Sequence, residues 1–333
     1  MSRTRDVSNI LKQPFTVTLG TSSYRAGVNA GNSILSGGNY NTVIGDEAGT
    51  AITTGDENTL VGYVSGDAIT TGIRNVAVGS YALSTNVAGD QSVAVGHGAL
   101  FTQNPATNAD VNNTAVGHDA GNQVTTGTSN TLIGALAGDA LTVGTENTAV
   151  GTSALSTETG NNTANGDHGS KSTAIGFEAL KVQNGEATAP FNLAVGWKAG
   201  YAMTTGMQNV LVGNSHAFTD ADYNVCIGSN AGNADTKGNR TVAIGIAALG
   251  TQNFTTSTDT HNVAVGNIAG ILVTTGVSNT LIGSECGDAL TDADFNVAVG
   301  HEALGSDTLG SNSVCMGQGA LLNQNFTTAT AVY

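Results

Sequence analysis

A five-residue phrase recurs sixteen times along the chain and decides what it can fold into. It reads Asn/Ser/Thr, Thr/Val, a small apolar residue, Val/Ile and Gly. Its copies end at Gly45, Gly62, Gly79, Gly96, Gly117, Gly134, Gly151, Gly176, Gly196, Gly213, Gly228, Gly245, Gly266, Gly283, Gly300 and Gly317. Ten of the fifteen intervals between these glycines are 17 residues, and the others are 21, 25, 20, 15 and 21. Internal repetition at a fixed short period marks a stacked architecture. A 17-residue unit has room for short strands and turns but not for a strand, a helix and their connections. The expected fold is therefore all-β: a parallel β-solenoid, or β-roll, of about 16 coils. Residues 33–333 form the repeat, and residues 1–32 lie before it as an adaptor segment. Stacked at about 4.8 Å per coil, the repeat would make a rod of about 75–80 Å.

Strand alternation gives the phrase its chemistry. In NTAVG the Thr/Val and Val/Ile residues share one face, read here as the inward one, and the residue between them points the other way. That residue is apolar as well: Val43, Leu60, Ala77, Ala94, Leu132, Leu211, Cys226 and Cys315 occupy it. A strand apolar on both faces needs cover on both, so the intervening residues are expected to pack against further copies of the chain. The leading Asn, present in twelve of the sixteen copies, is expected to stack into a side-chain amide ladder. The Gly permits the bend that follows.

The coils group into four sets of four, opening at Gly45, Gly117, Gly196 and Gly266. Each set closes on a coil carrying Gln-Asn seven residues after its glycine: Gln103-Asn104, Gln183-Asn184, Gln252-Asn253 and Gln324-Asn325. The three internal ones open coils of 21, 20 and 21 residues. Extra residues in a solenoid map to loops on one face, often the binding face. Phe101, Phe254 and Phe326 lie in or beside these loops, and aromatic rings beside amides suit sugar binding as well as subunit packing. Residues 124–134 and 273–283 differ at one position, VTTGTSNTLIG against VTTGVSNTLIG, which marks duplication of whole blocks.

Charge narrows the partners. The formal net charge is -15, yet Arg3, Arg5, Lys12 and Arg25 place four of ten basic residues in the first 25. An acidic repeat repels phosphate backbones and anionic lipid, so neither nucleic acid nor membrane is an expected partner. No run of 18 apolar residues occurs, and MSRTRDVSNILKQPF lacks the apolar core of a secretory signal. The chain reads as a product made in the cytoplasm. Cys226, Cys286 and Cys315 stand where other coils carry small residues and read as buried hydrophobes rather than a disulfide set.

No catalytic signature stands out: Gly-x-Ser-x-Gly, His-Glu-x-x-His and the phosphate-binding Gly-Lys-Ser/Thr are absent from the sequence. An enzyme is not expected, nor a cofactor. His97, His118 and His301 each follow a motif glycine, where other coils carry Asp46, Tyr63, Ala135, Trp197 and Ile246. A surface or interface role is expected there rather than a metal. Asp220, Asp222, Asp292, Asp294, Asp67, Asp139 and Asp288 fit turn caps better than Ca²⁺ ligands, since no EF-hand pattern surrounds them.

The NTAVG and SVAVG phrases, each followed by Ala, resemble the head repeats of trimeric autotransporter adhesins of the YadA type, a repeat style shared with bacteriophage tail fibres. The resemblance covers residues 40–322. It implies a left-handed β-roll packed as a homotrimer about a common axis. The 17-residue spacing and the missing signal, stalk and barrel favour the phage fibre over the bacterial adhesin. The opening SRTRDVSNIL is similar to the start of some marine phage tail fibres, which implies docking to other virion proteins through Arg3, Arg5 and Asp6. The expected function is a structural fibre of a virion that contacts a host-surface glycan or protein. The alternatives are a bacterial adhesin head, an ice-binding solenoid and a glycan-cleaving spike.

Overall fold

A computed structural model describes residues 22–157, 171–184, 190–214, 217–326, 328 and 330–331. Arg3, Arg5 and Asp6 lie outside the described residues. The chain divides into two units, Met1–Val111 and Asn112–Tyr333. Each is a parallel β-solenoid, with about sixteen turns between them and a period of about 17 residues. No helix occurs among the described residues.

In the first unit five three-residue strands stack in parallel: Tyr24–Ala26, Thr42–Ile44, Thr59–Val61, Val76–Val78 and Val93–Val95. In the second, twelve more do so, from Thr114–Val116 to Val314–Met316. Register is strict: Thr59 faces Val76, Leu60 faces Ala77 and Val61 faces Val78. Each residue therefore meets its own counterpart one coil away, which is why the phrase tolerates so little variation.

The stack begins earlier than the sequence pattern indicates. Tyr24–Ala26 pairs with Thr42–Ile44, and Gly27, at φ 138, takes the place of a motif glycine. Arg25 occupies the central strand position there, its guanidinium donating to Gly31 O at 2.8 Å. With a charged residue at that position, this coil carries no apolar phrase in the sequence.

Three turns close most coils, and each places a residue in the left-handed region. In the coil around Gly62 these are Glu57 (φ 59), Val64 (φ 57) and Gly66 (φ 54). They stand just before the Asn and two and four positions after the glycine. Non-glycine residues pay roughly 1–2 kcal/mol for this conformation. The coil sustains it because backbone N–H groups at the turns reach carbonyls in the adjoining coil, as in Val64 N to Asp46 O at 3.0 Å.

The structure reverses the two faces of the strand. The central residue points inward: Leu60, Ala77, Ala94, Leu132, Leu211 and Cys226 are all fully buried. The flanking residues point outward, and Ile133 and Ile282 keep 40% and 39% of their surface. A three-residue strand followed by a tight turn leaves the coil interior room for one strand side chain. The pleat then sends the two larger neighbours outside.

Interior volume is balanced within each coil. Where the fourth residue after the motif glycine is Gly, the seventh is apolar, as with Gly66 and Ile69 or Gly138 and Leu141. Where it is Leu, the seventh is polar, as with Leu83 and Asn86 or Leu100 and Gln103. A Cβ on Gly138 would lie 2.7 Å from both Leu132 Cδ2 and Leu141 Cδ1. Gly232 departs from the pattern, being paired with Asp235; Phe218 and Cys226 fill the space beside it.

Candidate functional site

The expected amide ladder is present and buried. Asn58 Nδ2 donates to Asn41 Oδ1 at 3.1 Å and to Gly72 O at 2.9 Å, while Asn58 Oδ1 accepts from Asn75 N at 3.0 Å. The arrangement repeats through Asn130, Asn147, Asn209, Asn279 and Asn296. Such buried amides are costly unless fully paired.

The ladder also explains the Gln-Asn pairs. In every fourth coil the motif Asn is replaced by Ser92, Ser172, Thr241 or Ser313. A Gln then reaches in from the next turn: Gln103, Gln183, Gln252 and Gln324 each donate to that hydroxyl at 3.0 Å. Asn192 and Asn262 continue the ladder by donating to Gln183 Oε1 at 2.8 Å and Gln252 Oε1 at 2.7 Å. Gln103, Gln183 and Gln252 are fully buried. They have no surface to offer a receptor, and the expectation of contact through these side chains is corrected: they replace a missing amide in the core.

The other loop residues divide. Phe254 is buried, with its N–H directed at Asp235 Oδ1. Phe101, Asn184, Gln324 and Phe326 are half-buried. Asn104, Asn253 and Asn325 are exposed but tied to the adjoining coil, Asn253 Oδ1 accepting from Thr236 Oγ1 at 3.2 Å and Asn325 Oδ1 from Thr308 Oγ1 at 3.3 Å. Part of the extra length extends the stack. Ala109–Asp110 pairs with Gly89–Asp90, and Thr258–Asp259 pairs with Gly238–Asn239.

The aspartates act as staples. Asp222 and Asp294 each accept an N–H from the preceding coil, from Met207 and Val277 at 2.8 Å. Burial raises the Asp222 pKa, and likewise those of Asp67, Asp139 and Asp288. Asp235 and Asp307 accept Gly238 N at 2.8 Å and Gly310 N at 3.1 Å, closing their turns. All three cysteines are buried and free. Burial raises the Cys226 thiol and pushes the Cys286 thiol up to about 12, so both stay neutral hydrophobes. Of the histidines, His301 Nδ1 lies 3.8 Å from Glu302 and close to Glu285, all at or near the open surface.

What remains is the outer sheet face. Two residues per strand over the sixteen motif strands give 32 positions, of which 24 are aliphatic, one is Met and seven are Thr, with none charged. All are half-buried or exposed, and the sequence signal for this was the regular Val/Ile at the fourth motif position. In the first unit the face carries Ile44, Val61, Val76, Val78, Val93 and Val95; in the second it ends on Val314 and Met316, 71% and 75% exposed. In each unit this outer face is uncharged and mostly apolar. No protein-family model matches the chain, and no curated protein matches its sequence.

Proposed function

We propose that the chain is a structural fibre subunit of a virion, assembled as a homotrimer through its outer sheet face and contacting the host surface along its flank. The observation that carries this reading is the uncharged outer face, mostly Val, Ile and Thr, presented by every motif strand. In-register strands offer the same side chains at each level, so a second copy that fits one coil fits the next. Burying half-exposed aliphatics contributes roughly 25 cal/mol per Å², and the contribution repeats coil by coil. Three copies, rather than two, and attachment to the virion through Arg3, Arg5 and Asp6, follow from the resemblance to tail-fibre and adhesin-head repeats. Surface contact would then be multivalent, with weak sites multiplied by symmetry.

Sedimentation equilibrium tests the reading. Wild-type protein is expected at three times the single-chain mass at micromolar concentration. The double variant Val263→Lys, Val265→Lys, which charges the outer face in mid-unit, is expected at the single-chain mass with its β-sheet circular dichroism retained. A wild-type single-chain mass would overturn the reading.

A further inference from the structure

Basic residues are scarce, yet Lys171, Lys181 and Lys198, three of the ten, fall within two consecutive coils. Two of them, Lys181 and Lys198, meet the chain's only tryptophan and Tyr201. Phe177 and Trp197 each follow a motif glycine, on strands paired through Ile175 and Val195. Lys198 N donates to Phe177 O at 2.9 Å, so the two aromatic positions sit side by side in adjacent coils. Trp197 is 53% exposed, Phe177 45% and Tyr201 36%. Lys198 Nζ stands 4.8 Å from the Trp197 ring centre and 5.0 Å from that of Tyr201, and Lys181 Nζ stands 5.8 Å from Tyr201.

Both ammonium groups share a single carboxylate. Glu178 lies 2.6 Å from Lys181 and 3.4 Å from Lys198, and these contacts, the Lys181 hydrogen bond foremost, lower its pKa. Two ammonium groups contact this one carboxylate, while Asp139 acts on Lys181 only through space, so N–H donors outnumber the acceptor they touch. Exposed ring faces beside such donors match a sugar that carries an acid: the ring stacks and the carboxylate pairs with lysine. Elsewhere the acidic chain repels anions, so this spot selects where an anionic chain can settle.

We infer that Phe177, Trp197, Tyr201, Lys181 and Lys198 form a docking surface for a glycan whose sugars bear carboxylates. The inference rests on the fibre reading for its setting, since a surface glycan is what such a fibre would meet. Its test does not depend on assembly. Trp197 is the sole tryptophan, so its emission reports on the patch directly. Titration with tetragalacturonate, with neutral maltotetraose as control, is expected to change the emission saturably for the acidic sugar at least tenfold more tightly. That binding is expected to weaken as salt rises. Lys198→Gln should weaken it at least fivefold by calorimetry, and Trp197→Ala should do so without altering the sedimenting mass. Equal response to the neutral sugar, or none at millimolar tetragalacturonate, would overturn the inference. A mass change in Trp197→Ala would do so as well, by making the patch a subunit contact; a single-chain wild-type mass with binding intact would instead overturn only the fibre reading.

Discussion

The motif glycine shows most clearly how one residue type is fixed by its neighbours in space. At Gly134 (φ 134) a Cβ would lie 2.6 Å from the carbonyl oxygen of Gly151 in the next coil, so both backbone conformation and stacking exclude a side chain. Gly317 separates these two effects. Its φ is 117, but nothing lies within 4 Å of a Cβ placed there. Gly317→Ala should therefore carry the conformational cost alone, roughly 1–2 kcal/mol. Gly134→Ala adds an overpacking cost of roughly 1–3 kcal/mol, because the clash is with backbone that cannot turn aside. Urea unfolding of the two variants checks this; equal midpoints would mean that coil spacing adjusts to admit a methyl group. The bend inferred from sequence is real, but the close approach that makes glycine obligatory appears only when coils are stacked.

At the scale of the coil, the governing rule is conservation of interior volume. Gly66 leaves room that Leu60 and Ile69 occupy; a Cβ there would lie 2.8 Å from Leu60 Cδ2 and 3.0 Å from Ile69 Cδ1. The following coil solves the same problem with Ala77, Leu83 and Asn86, its leucine at φ 55. Gly66→Leu alone should cost more than about 3 kcal/mol through overpacking. Adding Leu60→Ala and Ile69→Asn, which converts the coil to its neighbour's pattern, should recover at least about 1 kcal/mol relative to the summed single effects. Strictly additive costs in urea unfolding would sink the rule. Much of this was legible in sequence: the period, the strands, the Asn ladder and the alternation of Gly with Leu. The face assignment was not, because Thr, Val and Ala are compatible with either side of a strand. The Gln residues were misplaced for a related reason. Each lies eleven positions after the Ser or Thr that replaces Asn, as Gln103 does after Ser92, so the coupling was visible although its inward direction was not.

For the molecule as a whole, acidity is set against burial. Burial raises the pKa values of Asp67, Asp90, Asp139, Asp222, Asp235 and Asp288. Among the described residues two carboxylates move the other way: Glu178, held down by Lys181 and Lys198, and Asp220, where burial is outweighed by bonds from Thr204 and Lys237. A carboxylate whose folded pKa is raised contributes stability that is full below the unfolded value, near 4, and lost as pH rises through the folded value. Six raised groups against two lowered ones, with a net charge of -15 repelling itself at neutrality, predict a fold that strengthens on mild acidification. The melting temperature should be higher at about pH 5 than at pH 7.5. Asp235 offers the sharpest single check, because it is the seventh residue after its motif glycine, where the first block carries Asn86. Asn86 closes that turn with a neutral amide, accepting Gly89 N at 3.0 Å and donating to Gly89 O at 2.9 Å. Asp235→Asn should therefore raise the melting temperature at pH 7.5 and reduce the gain between pH 7.5 and 5. If the wild type melts lower at pH 5, or the variant loses stability at neutral pH, the hydrogen bonds that Asp235 accepts outweigh its burial and the charged form is the one the coil is built to hold.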